Sequence, residues 1–197
     1  TGSKAWITNA SHAGALNVYA QTDPEAGHRG IVSIVDDPEL DGVTRLAAYE
    51  LMGAHAMGTG GFEFDGVRVP VDNTLLAVGK AFAGAMVGID LARVLVGAMC
   101  CGILRRSLDV ALAETADRQV LGAAGADKQG VQWMLADVAT DLEAMRLLTF
   151  RAARLLQDGG SSSGTDASLM AAHAKKFAAR AAEKRLADCM QVMGAAG

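Results

Sequence analysis

The sequence predicts an α+β protein: a strand-rich N-terminal part followed by an up-down helical bundle in which three of four helices are present. Three observations carry this. Aromatic and β-branched residues gather before Pro70, and Ala, Leu and Met gather after it. Before Pro70, short runs are separated by turn signals such as Asp23-Pro24 and Asp37-Pro38. After it, apolar residues recur at spacings of three and four, the period of a helix buried on one face. The two parts are placed at residues 1–73 and 74–197.

In chain order, strands are expected at residues 4–9, 16–22, 30–35 and 61–69. The last alternates well, with Phe62, Phe64 and Val67 set among Glu63, Asp65 and Arg68 and with Asp65-Gly66 as a turn or bulge signal. The Gly-rich stretch 53–61 reads as a surface loop, because the strand and helix that would flank a phosphate cradle are lacking. Helices are expected at 82–117, 128–158 and 166–193. The second carries Val131, Leu135, Val138, Leu142, Met145 and Leu148 on one face; the third carries Leu169, Phe177, Leu186 and Met190. Residues 159–164, Gly-Gly-Ser-Ser-Ser-Gly, read as a flexible connector, and Asp166 as the N-cap that follows it.

Composition narrows the class. The chain has 197 residues, 51% of them hydrophobic and 20% charged, which excludes disorder as the main state. A net charge of −4 argues against a general nucleic-acid binder. Three Cys without a CxxC pair support neither a disulfide framework nor a zinc site, and fit a reducing compartment, the cytoplasm. No apolar run is read as reaching the ~18 residues of a membrane span. Thr1-Gly2-Ser3-Lys4 lacks both Met and a signal-peptide pattern, and the chain stops at Gly197 just after an apolar turn. It is therefore expected to be cut from a longer protein at both ends. His12, His28, His55 and His173 are scattered and suggest no metal site. Cys100, Cys101 and the nine Met read as packing residues, and Arg105-Arg106 and Lys175-Lys176 as solvated helix faces.

Seven motifs in order carry a resemblance. Gly2-Ser3-Lys4-Ala5-Trp6-Ile7-Thr8-Asn9 resembles the G-x-K-x-W-I-T-N strand of acyl-CoA dehydrogenases. Met52-Gly53, Phe64-Asp65-Gly66-Val67-Arg68-Val69-Pro70 and Ile89-Asp90-Leu91-Ala92-Arg93 follow at family-like separations. So do Arg118-Gln119-Val120-Leu121-Gly122 (for R-x-x-F-G), Gln129 and Gln191-Val192-Met193-Gly194-Ala195 (for Q-x-x-G-G). The resemblance covers essentially the whole chain and looks most like the short-chain enzymes. It implies part of a β-barrel-like middle domain, part of a C-terminal four-helix bundle, FAD as cofactor and a homo-oligomer, either a dimer or a dimer of dimers. It also implies an acyl-CoA substrate in fatty acid metabolism and an electron-transfer flavoprotein as acceptor.

The resemblance also assigns residues. Trp6, Ile7 and Thr8 correspond to the flavin-side strand, where alternation sends Trp6 and Thr8 to one face; the alternative places Trp6 in the core. Arg118 corresponds to the Arg that meets the FAD pyrophosphate of a neighbouring subunit, the alternative being an exposed helix-end cation. Gln129, Gln191, Val192, Gly194 and Ala195 correspond to adenosine-side positions. Leu121 stands for the family's Phe and Ala195 for its second Gly. Asp90 and Arg93 correspond to substrate-contacting or pocket-supporting positions, or form an i,i+3 ion pair.

The implied reaction removes a proton from the α carbon of a saturated acyl-CoA and passes a hydride from the β carbon to flavin N5. No catalytic base is visible. One branch of the family places its Glu where Ala92 stands, and the other places it beyond Gly197. Two further readings stay open on the same residues: a non-catalytic partner subunit, or a flavin monooxygenase or tailoring enzyme on this fold.

Overall fold

A computed structural model describes residues 1–159 and 166–197. The expected connector lies, from residue 160 on, outside the described residues. The chain forms two compact units, Thr1–Gly84 and Ala85–Gly197.

In the first unit, β1 (Gly2–Ile7), β5 (Gly60–Phe64) and β4 (Val43–Arg45) form one antiparallel sheet in the order β1-β5-β4. A second sheet has the order β2-β3-β6, from β2 (Leu16–Gln21), β3 (Ile31–Asp36) and β6 (Thr74–Leu76). The β2–β3 pairing runs without a slip from Leu16↔Asp36 to Gln21↔Ile31. Each sheet keeps two free edges, so no closed barrel exists among the described residues and the barrel-like expectation becomes two open sheets. Lys4 Nζ links them by donating to the Tyr19 carbonyl at 2.6 Å. Ala10, Leu16 and Phe62 form the core, with Ile7, Val18, Val43 and Phe64 packed against it. The Arg45 guanidinium lies 5.3 Å from the Phe62 ring centre, and it donates to the carbonyls of Ala10 and, at 3.0 Å, Ala13.

Two expected strands are shorter than their patterns. The first ends at Ile7 because Asn9 is left-handed, at φ +65°. The run expected over 61–69 stops at Phe64, where Gly66 at φ +61° turns the chain. Strands β4 and β6 have three residues each, too few to show a period.

The second unit holds most of α1 (Ala81–Asp117), then the hairpin β7 (Gln119–Val120) and β8 (Ala123–Ala124), α2 (Gln129–Gln157) and α3 (Asp166–Met193). Gly97 lies against Thr149 and Val94 packs with Ala152, so α1 and α2 run antiparallel. Arg185 reaches Asp137 and Asp141 while Ala171 and Ala174 pack with Ala152, so α2 and α3 do too. The core joins Leu104, Leu108 and Ala111 of α1, Leu135, Val138, Leu142 and Met145 of α2, and Ala178, Ala182, Cys189 and Val192 of α3.

The face of α3 differs from expectation. Leu169, Phe177 and Met190 are exposed, and Ala171, Ala174, Ala178, Ala181 and Ala182 are buried in their place. Alanine lets two helix backbones approach closely, and a Leu or Phe on that face would hold them apart. The Met expectation is corrected likewise: Met145 is buried, while Met52, Met99 and Met190 are exposed. So is the expectation about apolar runs, since α1 is long and apolar enough to cross a membrane by length and composition. The two charges that interrupt its first half, Asp90 and Arg93, pair with each other at 2.7 Å.

Candidate functional site

The first cluster lies on β1. Between Lys4↔Phe62 and Ile7↔Gly60, β1 carries one residue more than its partner, a β-bulge. Trp6 sits in it at φ +59°, a left-handed conformation that costs a non-glycine residue ~1–2 kcal/mol. The bulge breaks the alternation, and Thr8 lies past the strand end, so the two do not share a face of a regular strand. Trp6 is 71% exposed, which removes the core-filling alternative. Its ring leans on Tyr49, with centroids 4.6 Å apart and planes at 53°. Tyr49 lies in the connection before β5, among Leu, Ala and Met, and carried no sequence signal beyond being aromatic. Ile7 and Thr8 line a cleft of about 570 Å³ with Asn9, Leu16 and Phe62.

The second cluster gathers where α1, the hairpin and the end of α3 meet. Leu121 and Gly122 turn the hairpin at φ +51° and +79°, the type I′ pattern that suits two-residue hairpins. Leu121 is 95% exposed at its tip. Arg118 is not the exposed cation of the simpler reading. Its terminal nitrogens donate to the carbonyls of Val192 (2.9 Å) and Met193 (3.1 Å), and its buried Nε has no partner among the described residues. Gly194 follows at φ +64°. Gln191 and Ala195 are exposed on either side, and Gln129 is exposed as the first residue of α2. The side chain of Val192 belongs to the core, so only its backbone serves this cluster.

The third cluster is in α1. Asp90 is buried, at 1% exposure, and its carboxylate accepts from Arg93 at 2.7 Å. Ala92 is exposed and carries no acid. Among the described residues no group of His, Cys, Asp and Glu could hold a metal. Burial pushes the thiols of Cys100, Cys101 and Cys189 up from their ordinary value, so they stay neutral as packing groups should. Sequence reasoning did not anticipate the bridge of Arg185 to Asp137, Asp141 and Asp188, which joins α2 to α3.

An exposed, strained indole beside a cleft suits a planar ring system. The exposed amides of Gln129 and Gln191, with the Arg118 guanidinium between helix ends, suit a nucleoside diphosphate in donor chemistry. Two open sheets followed by an antiparallel helical bundle make this an α+β protein. Residues 79–197 match the family model "Acyl-CoA dehydrogenase, C-terminal domain", and the chain belongs to the acyl-CoA dehydrogenase family. It is 37% identical over 196 residues to cyclohex-1-ene-1-carbonyl-CoA dehydrogenase of Geobacter metallireducens, covering 100% of this chain and 50% of that one. It is 34% identical to the mitochondrial short/branched chain specific acyl-CoA dehydrogenase of Rattus norvegicus, covering 100% and 44%. A glutaryl-coenzyme A dehydrogenase solved with glutaryl-CoA superposes with a TM-score of 0.93 at 34% identity, covering 100% and 49%. The chain spans about half the length of the curated relatives it matches.

Proposed function

We propose that this chain forms part of an FAD-dependent acyl-CoA dehydrogenase that oxidises the α,β bond of a saturated acyl-CoA thioester. The observation that carries this is the family match over 79–197, joined to relatives that align over the whole chain and are acyl-CoA dehydrogenases. FAD would supply the hydride acceptor at N5, which no side chain can provide. Trp6 offers a flat apolar surface to the ring system, held by Tyr49, and Thr8 offers a hydroxyl beside it. Gln129, Gln191 and the Arg118 cluster serve the diphosphate and adenosine half. Asp90 holds Arg93 by an ion pair at 2.7 Å, and this reading gives the pair to the acyl-CoA side. Ala92 cannot take a proton, so abstraction from the α carbon falls to a carboxylate of the full-length protein outside these residues. Assembly as a homo-oligomer, with Arg118 serving a neighbour's cofactor, and electron delivery to an electron-transfer flavoprotein belong to the same reading.

The test is anaerobic mixing of the full-length protein with saturated short acyl-CoAs while the visible absorbance of the flavin is followed. Bleaching by acyl-CoA supports the dehydrogenase. Product formation only with oxygen points instead to a monooxygenase or tailoring enzyme, and a stable oligomer without flavin to a non-catalytic subunit.

A further inference from the structure

The backbone of Arg118 is fixed from two sides. Its N–H donates to Glu114 O at 2.9 Å as the end of α1, and its carbonyl accepts from Gly125 N at 2.8 Å beyond the hairpin. From that anchor the side chain spans to residues 74 and 75 positions away. The two carbonyls it meets, Val192 and Met193, belong to the last turn of α3, where a helix has no intrahelical donors left to offer. Gly194 is the left-handed residue that ends this helix. A Cβ built on it would stand 2.6 Å from the Arg118 terminal nitrogen. Glycine is thus required there twice, for its φ and to admit the guanidinium.

Two terminal nitrogens on two successive carbonyls is a fork in fixed geometry, which a point charge such as a Lys ammonium does not reproduce. We propose that Arg118 is a positioning residue: it clamps the C-terminal turn of α3 and sets the conformation in which Gln191 and Ala195 face the cofactor. On this account a loosened helix end adds to the loss of the guanidinium's charge beside the diphosphate, so mutation costs more than the charge alone. The inference rests on the functional reading above only for the identity of the cofactor.

The experiment compares Arg118→Lys, Arg118→Met and Gly194→Ala in the full-length protein. It reads FAD affinity by equilibrium dialysis and amide hydrogen exchange of residues 190–197 in the flavin-free protein. All three variants are expected to speed that exchange and to weaken FAD binding on the order of tenfold, the scale of losing hydrogen bonds to a charged group. Gly194→Ala leaves the charge of Arg118 in place while it disturbs the fork and strains the left-handed turn, so it is read beside Arg118→Met, which removes the fork without touching that turn. The proposal is overturned if Arg118→Lys keeps wild-type affinity while Arg118→Met loses it, the signature of a simple charge contact. It is equally overturned if exchange in Arg118→Met or Gly194→Ala matches wild type. If the wild-type protein binds no flavin, the functional reading fails, and the exchange data alone decide the clamp.

Discussion

Gly97 of α1 faces Thr149 of α2, and replacing it with Ala sets two effects against each other. In a helix interior Ala is favoured over Gly by ~1 kcal/mol. Yet the new Cβ would lie 2.8 Å from Thr149 Oγ1, with Thr149 Cγ2 at 3.5 Å and Cβ at 3.7 Å. A β-branched side chain in a helix has little freedom to turn away, and overpacking of this kind costs ~1–3 kcal/mol. Gly97→Ala is therefore expected to be destabilising by about 1 kcal/mol net of its propensity gain. Thr149 supplies the control. Unlike Thr115 and Thr140, which donate to the carbonyls of Ala111 and Ala136, its buried hydroxyl has no partner in hydrogen-bond geometry. The Cys101 thiol beside it offers only a weak contact.

Thr149→Ala alone loses ~1 kcal/mol of packing and relieves an orphaned hydroxyl of similar size, so it should be close to neutral. In the double variant the clash disappears and the propensity gain remains. Urea denaturation of the four proteins should give a favourable coupling of at least ~1 kcal/mol between the two sites. Additivity within ~0.5 kcal/mol would falsify the contact and with it the packing of α1 on α2.

Two further outcomes follow from the bundle. Arg185→Met removes the shared partner of Asp137, Asp141 and Asp188, two of which are largely shielded from solvent. Leaving those carboxylates together should destabilise by about 2 kcal/mol, less than the loss of a fully buried pair, and lower Tm by roughly 4–8 °C in a thermal scan. The pH dependence comes from the buried thiols. Burial, helped by the charge of Asp188, raises the pKa of Cys189 in the folded state. Between the ordinary thiol value of ~8.5 and that raised value, the unfolded chain has lost a proton that the folded chain keeps. This contribution is complete at neutral pH and declines as pH rises past ~8.5. Urea midpoints measured across that range should fall less steeply in Cys189→Ala than in the parent. An unchanged slope would mean that Cys189 does not titrate on unfolding.

The order of the longer elements was legible in the chain because helix and turn signals are local, whereas β4, β6 and the β7–β8 hairpin were too short to read. Apolar spacing along residues 128–158 and the acidic start at Asp166 placed α2 and α3 to within a residue, although Asp166 lies inside the first turn of α3 instead of capping it. The motif order from Trp6 to Gln191 pointed to the family for a related reason, since side-chain identities at fixed separations need no coordinates to be read. What the sequence did not carry was every property that depends on the distance to another element. Six alanines of α3 became its buried face because the helices packed on it come close enough to exclude anything larger, so the bulky Leu169, Phe177 and Met190 lie outside. Trp6 left the strand alternation because β1 has one residue more than β5 can pair, a mismatch that exists only once the register is set. Arg118, in sequence a cation at a helix end, meets two carbonyls that lie 74 and 75 residues further along the chain. Periodicity tells a segment which form to take; the separation of packed backbones decides which of its side chains are inside and what each polar group can reach.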